Sequence, residues 1–185
     1  MKKRVLIVID AQNDFLTGAL PNPAAVAALP AIKKLVDEAV AAGDRLIYTQ
    51  DTHTKDYLDT HEGKNLPIPH CIADTEGWEI ADTVKPDKGH EACSFIKWQF
   101  GADPEDWLDM LDDEYADNGA HFDIHLCGFV SSICVVSNAL ILRAIYPEAD
   151  ITFHAYASAG LTPEDHEAAC KVMECCQIKV LREAE

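Results

Sequence analysis

Cys134 stands where a chain can make a thiol reactive. Residues 123–140, DIHLCGFVSSICVVSNAL, read as a short apolar strand through Ile124 and Leu126 that breaks at Gly128. A turn through Phe129, Val130, Ser131 and Ser132 follows, and a helix is entered at Ile133. Ser132 suits an N-cap, because its hydroxyl can accept a hydrogen bond from a free amide of the first turn. Cys134 then falls in that first turn, where unpaired N–H groups and the positive end of the helix dipole favour an anion and lower the thiol's pKa. The competing reading is a buried structural cysteine, since free cysteine is among the most buried residue types. Other reactive types stand at matching places. Asp10 ends one apolar run, Asp51 and His53 follow a second, and Lys97 closes a third. An acid, a base, a cation and a thiol brought to one edge of one sheet form a reactive-site pattern.

The elements that must bring them there follow from periodicity. Residues 4–9 form a continuous Val/Ile-rich run, the mark of a strand buried on both faces. Pro21 and Pro23 introduce a helix over 24–43 with Gly43 as its C-cap; Pro30 marks either its true start or a kink. Further strands are expected at 45–50, 92–96, 123–127, 151–156 and 178–181. Helices are expected at 104–111 and at 134–145, the latter apolar nearly all round and hence buried. A last helix runs to about Cys176, with Thr162 as N-cap and Pro163 at its first position. Residues 54–91 show no convincing regular element, and a loop of that length in a compact domain is usually functional. Six strands alternating with helices predict a doubly wound, mostly parallel six-stranded α/β sheet with helices on both faces, one domain over residues 1–185. Such sheets bind ligands outside the carboxyl ends of their strands. No GxGxxG follows the first strand and no GxxxxGK[ST] occurs, which weakens dinucleotide and P-loop readings.

Composition narrows the partners. A net charge of −17 over 185 residues argues against nucleic acid and acidic membrane surfaces. No apolar run approaches the roughly 20 residues that span a bilayer, and the basic start shows no small-residue cleavage site, so a cytoplasmic protein is expected. Seven cysteines at irregular spacings suggest free thiols, with Cys170, Cys175 and Cys176 as packing residues.

Five pieces follow one another in the order of a known family: VLIVIDAQNDFLTGAL at 5–20, TQDTH at 49–53, PHC at 69–71, FIK at 95–97 and GFVSSICV at 128–135. On these, spread over most of the chain, it resembles the isochorismatase-like cysteine hydrolases, and within them the nicotinamidases. The resemblance implies Asp10, Lys97 and Cys134 as a catalytic triad and Asp51, His53 and His70 as metal ligands. It also implies a cis peptide at Phe129–Val130 and an oxyanion hole from the backbone N–H groups of Val130 and Cys134. One carboxylate and two imidazoles make an open site for zinc foremost, or for iron or manganese; the bland reading is two loop histidines on a solvated surface. The implied activity is ammonia release from a small amide through a thioester, nicotinamide to nicotinate. The alternatives are a metal-independent amidase of a carbamoyl or ureido compound and a non-catalytic binding protein on the same fold. Homo-oligomers are implied for some members, though the sequence singles out no interface.

Phe15, Trp98, Phe100 and Ile133 are the expected pocket walls. The chain departs from the nicotinamidase pattern at Thr52 and Thr54, where the family has Trp and Pro, and at residues 98–102, where WQFGA replaces a Tyr-Ser type segment. Trp98 and Phe100 either replace the lost ring-stacking walls or belong to the core. True isochorismatases lack the cysteine, so Cys134 speaks against vinyl-ether hydrolysis.

Overall fold

The computed structural model describes residues 2–87, 92–111 and 117–184. Its strands are β1 (Lys3–Ile9), β2 (Arg45–Asp51), β3 (Cys93–Lys97), β4 (Phe122–Phe129), β5 (Asp150–Ala159) and β6 (Lys179–Leu181). They form one sheet in the order β3-β2-β1-β4-β5-β6, with every neighbouring pair parallel. Its helices are α1 (Pro23–Ala42), α2 (His61–Asn65), α3 (Pro104–Leu111), α4 (Val136–Ile145) and α5 (Pro163–Cys175). The strand order reverses between β1 and β4, and the crevice at that reversal is where doubly wound sheets take ligands.

Both faces of the sheet are covered, which is why β1 is buried from Val5 to Ile9. On one face Leu6, Val8 and Tyr48 meet Ile32, Leu35, Val36 and Ala39 of α1, a helical stripe at spacings of three and four. On the other, Ile7, Ile9, Leu126 and Phe153 pack with Trp107 of α3, Ala139 and Leu142 of α4 and Met173 of α5. Asn22 caps α1 by accepting from the amides of Ala24 and Ala25, Gly43 closes it at φ 72°, and the helix runs through Pro30 on its exposed side. The expected start at Pro30 is thereby excluded. Thr162 caps α5 by accepting from Asp165 N–H.

Three expectations need correction. The 54–91 region carries short elements: 3-10 turns at Tyr57–Asp59 and Asp82–Val84, helix α2, and bridges from His53 to Ile72 and from Gln12 to Ile80. None is long enough to show a period in sequence, and residues 88–91, His90 among them, lie outside the described residues. The expected helix at 134–145 divides into a π-type turn, Ser131–Val135, and α4. Among the C-terminal cysteines only Cys170 is buried, Cys175 is exposed, and all seven thiols are free. No helix among the described residues is long and apolar enough to cross a membrane.

Candidate active site

Parallel register puts the chemistry-bearing residues side by side. Asp51 ends β2 opposite Lys97 at the end of β3, and Asp10 directly follows β1. β4 ends at Phe129, and the π-type turn beyond it carries Cys134 back over the strand ends. Gly128 permits this close passage. Its φ is 112°, and a Cβ there would stand 2.0 Å from the carbonyl oxygen of Ile9.

Lys97 is the centre of the cluster. Its Nζ lies 2.7 Å from Asp10 Oδ2, donates to Asp51 Oδ1 and to the carbonyl of Gln99 at 3.2 Å each, and reaches Cys134 Sγ at 3.6 Å. All four partners saturate an ammonium that is almost fully buried. Burial alone would depress its pKa, but the charges of Asp10, Cys134 and Asp51 outweigh that and hold it well above the ordinary value, so Lys97 stays a cation.

Burial pushes the Cys134 thiol up, and Lys97 only partly opposes it. The expected lowering at a helix start does not occur, because a turn this deeply enclosed desolvates the thiolate more than the helix end stabilises it. Nor is Ser132 the cap. Val130 occupies that position without a side-chain bond, and its carbonyl accepts from both Ile133 and Val135 N–H. Asp10 is likewise raised, first by burial and then by Asp51, against the pull of Lys97. A protonated thiol beside a basic carboxylate and a fixed cation is a resting arrangement from which Asp10 can take the thiol proton.

Beside this triad stands a second cluster. Asp51, His53 and His70 bring donor atoms within 4.8 Å of one another, and all three residues are buried, so the solvated-loop reading of the histidines falls away. Burial raises the Asp51 carboxyl, but hydrogen bonds from His53 and His70 and the charge of Lys97 outweigh it and hold it well below the usual range. His70 Nδ1 faces the Ile68 carbonyl at 2.9 Å. A carbonyl only accepts, so Nδ1 carries a proton, which leaves Nε2, 3.5 Å from Asp51 Oδ2, as the nitrogen that a divalent metal would take up. The donor chemistry therefore fits a divalent metal.

A family model described as Isochorismatase domain matches residues 4–185. The chain belongs to the isochorismatase family of hydrolases. Among solved structures it resembles the nicotinamidase/pyrazinamidase PncA from Bacillus subtilis, with 27% identity, 97% of this chain and 100% of that one covered, and a TM-score of 0.80. The pyrazinamidase of Pyrococcus horikoshii in complex with zinc superposes with a TM-score of 0.79 at 24% identity, covering 98% and 99% of the two chains. N-carbamoylsarcosine amidase from Thermoplasma acidophilum shares the fold at 21% identity, TM-score 0.74 and 99% and 98% coverage. No curated protein sequence matches the chain significantly.

In this isochorismatase-family chain Cys134, Asp51 and His70 line one cavity of about 380 Å³, with Asp10 and Lys97 buried behind them. Phe15, Phe100, Val130, Ile133, Cys134, His70 and Glu62 are on its wall, with Leu161 at the rim. Trp98 is not. Along β3 side chains alternate, so Lys97 turns inward while Ile96 and Trp98 turn out to solvent, Trp98 at 54% exposure. It is neither wall nor core. The peptide between Phe129 and Val130 is cis.

Several supporting residues had no chemical signal of their own. Thr49, two before Asp51 on β2, accepts from Asp10 N–H and donates to its Oδ1 at 2.6 Å. Gln12 grips the Asp51 backbone from both sides, accepting from its N–H and donating to its carbonyl at 2.8 Å each. Asp14 accepts from Cys71 N–H at 2.7 Å and so fixes the turn after His70, where Cys71 takes φ 46°. Asn138, one turn past Cys134, donates to the Cys134 and Phe100 carbonyls and accepts from Ala102 N–H and the Trp107 indole. The strand period could have found Thr49, and the helical i+4 spacing from Cys134 could have found Asn138.

Proposed function

We propose that this protein is a cysteine-dependent amidohydrolase releasing ammonia from a small neutral amide, nicotinamide foremost, through a thioester on Cys134. The reading rests on one observation above others: a buried ammonium 2.7 Å from Asp10 and 3.6 Å from Cys134 Sγ, at the foot of a largely apolar cavity.

Asp10 takes the Cys134 proton as the sulfur attacks the amide carbon, and Lys97 compensates the negative charge that builds between them. The backbone N–H groups of Val130 and Cys134 hold the oxyanion, at roughly 3–4 kcal/mol per donor in comparable sites. Asp10 returns its proton to the leaving nitrogen, ammonia departs, and the same carboxylate draws a proton from water as it attacks the thioester. Asp51, His53 and His70 would hold a divalent metal, zinc first, which would supply Lewis-acid chemistry to the site. Phe15, Phe100 and Ile133 flank the substrate's apolar body.

Among the described residues on the cavity wall there is no lysine or arginine. Under the metal-independent alternative a carboxylate-bearing ureide would meet Asp51 and Glu62 there with no wall cation to pair with, which favours an uncharged ring amide over a ureido acid. Comparing kcat/KM for nicotinamide, pyrazinamide and a carbamoyl amino acid tests this. Turnover confined to the neutral amides is expected. Preference for the carbamoyl acid, undiminished by chelation, overturns the substrate reading and favours the metal-independent alternative.

A further inference from the structure

We infer that His166 is a positioning residue for the oxyanion turn, acting through a hydrogen bond with the buried hydroxyl of Ser131. This rests on the reading of Cys134 as the thioester nucleophile and extends it to a side chain on α5.

Ser131 directly follows Val130 and lies between the two amides assigned to the oxyanion. It is fully buried, and its Oγ stands 2.8 Å from His166 Nδ1. A serine beside a histidine is also the pairing of an acyl-transfer nucleophile. Burial excludes that role here, because Ser131 is not on the cavity wall that Val130, Ile133 and Cys134 share. Its hydroxyl points into the protein, where a polar group needs a partner. His166 is that partner.

His166 is itself firmly seated. It lies near the start of α5, its N–H bonded to the carbonyl of the capping Thr162 at 3.0 Å. The end of β5 passes tightly over this point, since a Cβ on Gly160 would stand 2.7 Å from the His166 nitrogen. The imidazole is 6.2 Å from the ring of Phe153, a core residue of β5. Burial holds its pKa below the ordinary value, so His166 is neutral at pH 7.

On the turn itself, the Val130 carbonyl accepts from Ile133 and Val135 N–H. Those bonds tie the turn to itself, whereas the Ser131–His166 bond ties it to α5. Oxyanion donors act by being fixed before the charge develops. A turn released from α5 therefore loses transition-state stabilisation while substrate binding persists. The loop into α5 also carries Leu161 at the cavity rim, and its Gly160 carbonyl accepts from Asn22, another wall residue, at 2.9 Å. Rim and oxyanion turn thus share one support.

The test compares zinc-loaded wild type with His166→Leu, His166→Asn and Ser131→Ala. Leucine removes the hydrogen bond and keeps apolar bulk, while the asparagine amide sets a polar atom close to the place of Nδ1. Ammonia release from the best substrate among nicotinamide, pyrazinamide and a carbamoyl amino acid gives kcat and KM. The pyridine aldehyde corresponding to nicotinamide gives an inhibition constant. In its adduct the Cys134 sulfur bonds the carbonyl carbon, the thiol proton passes to the former carbonyl oxygen, and that oxygen takes the place of the oxyanion. Neither KM nor this constant depends on how much of a sample is folded. In His166→Leu and Ser131→Ala, kcat is expected to fall about tenfold and the inhibition constant to rise by a similar factor, with KM within about twofold of wild type. His166→Asn is expected to recover most of both. An inhibition constant unchanged in the leucine and alanine variants, whatever their melting temperatures, would overturn the inference, as would an asparagine variant as impaired as the leucine one. A wild type that releases ammonia from none of the three compounds would overturn the amidase reading, and this inference with it.

Discussion

Asp51 gives one carboxylate oxygen to Lys97 and the other to the histidines. Its Oδ1 is 3.2 Å from Lys97 Nζ, and its Oδ2 is 3.1 Å from His53 Nε2. The same buried group therefore borders both the triad and the proposed metal centre, and its loss is felt in both. Asp51→Asn is expected to abolish stoichiometric zinc binding and to lower kcat/KM for a small amide by more than chelation of the wild-type protein does. Zinc added back restores the chelated wild type and leaves the variant inactive. Equal losses, both reversed by zinc, would show that the contact with Lys97 contributes nothing.

Asn138 makes four hydrogen bonds between the Cys134 turn, residues 100–102 and Trp107. Asn138→Ala leaves buried donors and acceptors unpaired, at roughly 2–4 kcal/mol of stability. Chemical denaturation measures this directly. Cys134 also loses its anchor to the loop whose Gln99 carbonyl holds Lys97, so kcat is expected to fall further than the fraction of unfolded protein explains.

The strand ends were legible because apolar runs stop abruptly at Asp10, Gln50 and Lys97, and parallel topology does the rest. What local pattern could not convey was how enclosed the site is. The expected drop in the Cys134 pKa assumed a helix start near solvent, and the π-type turn instead buries the thiol under Val130 and Ile133. Trp98 read as a pocket wall because it follows Lys97, yet a period of two turns it outward.

Gly128 sits on the β4 side of the strand-order reversal, against Ile9. Gly128→Ala combines an unfavourable φ with a backbone collision. A loss of at least about 2–3 kcal/mol is expected, seen as a lowered melting temperature or insoluble expression. A variant as stable as wild type would mean that β1 and β4 separate here without cost.

His125, half-buried on β4, and His154, buried on β5, form a pair with Nδ1 to Nε2 2.8 Å, away from the active site. Burial, then His125 and the charges of Arg4 and Lys179, push His154 down to about 3, while Asp123 stands 3.1 Å from His125 Nε2. His154 is thus neutral when folded and takes a proton near pH 6.5 when unfolded. The stability it contributes is complete above about pH 6.5 and is lost as pH falls from there toward 3, by up to about 1.4 kcal/mol per unit. Denaturation between pH 7 and 4.5 should show a steeper decline in wild type than in His154→Gln; matching slopes would assign the acid lability elsewhere.

The most direct test compares ammonia release from nicotinamide by zinc-loaded wild-type and Cys134→Ala proteins. Steady release by the wild type, falling on the order of 10⁴-fold or more in the variant, is the expected result. Comparable rates from the two proteins would contradict a thioester on Cys134.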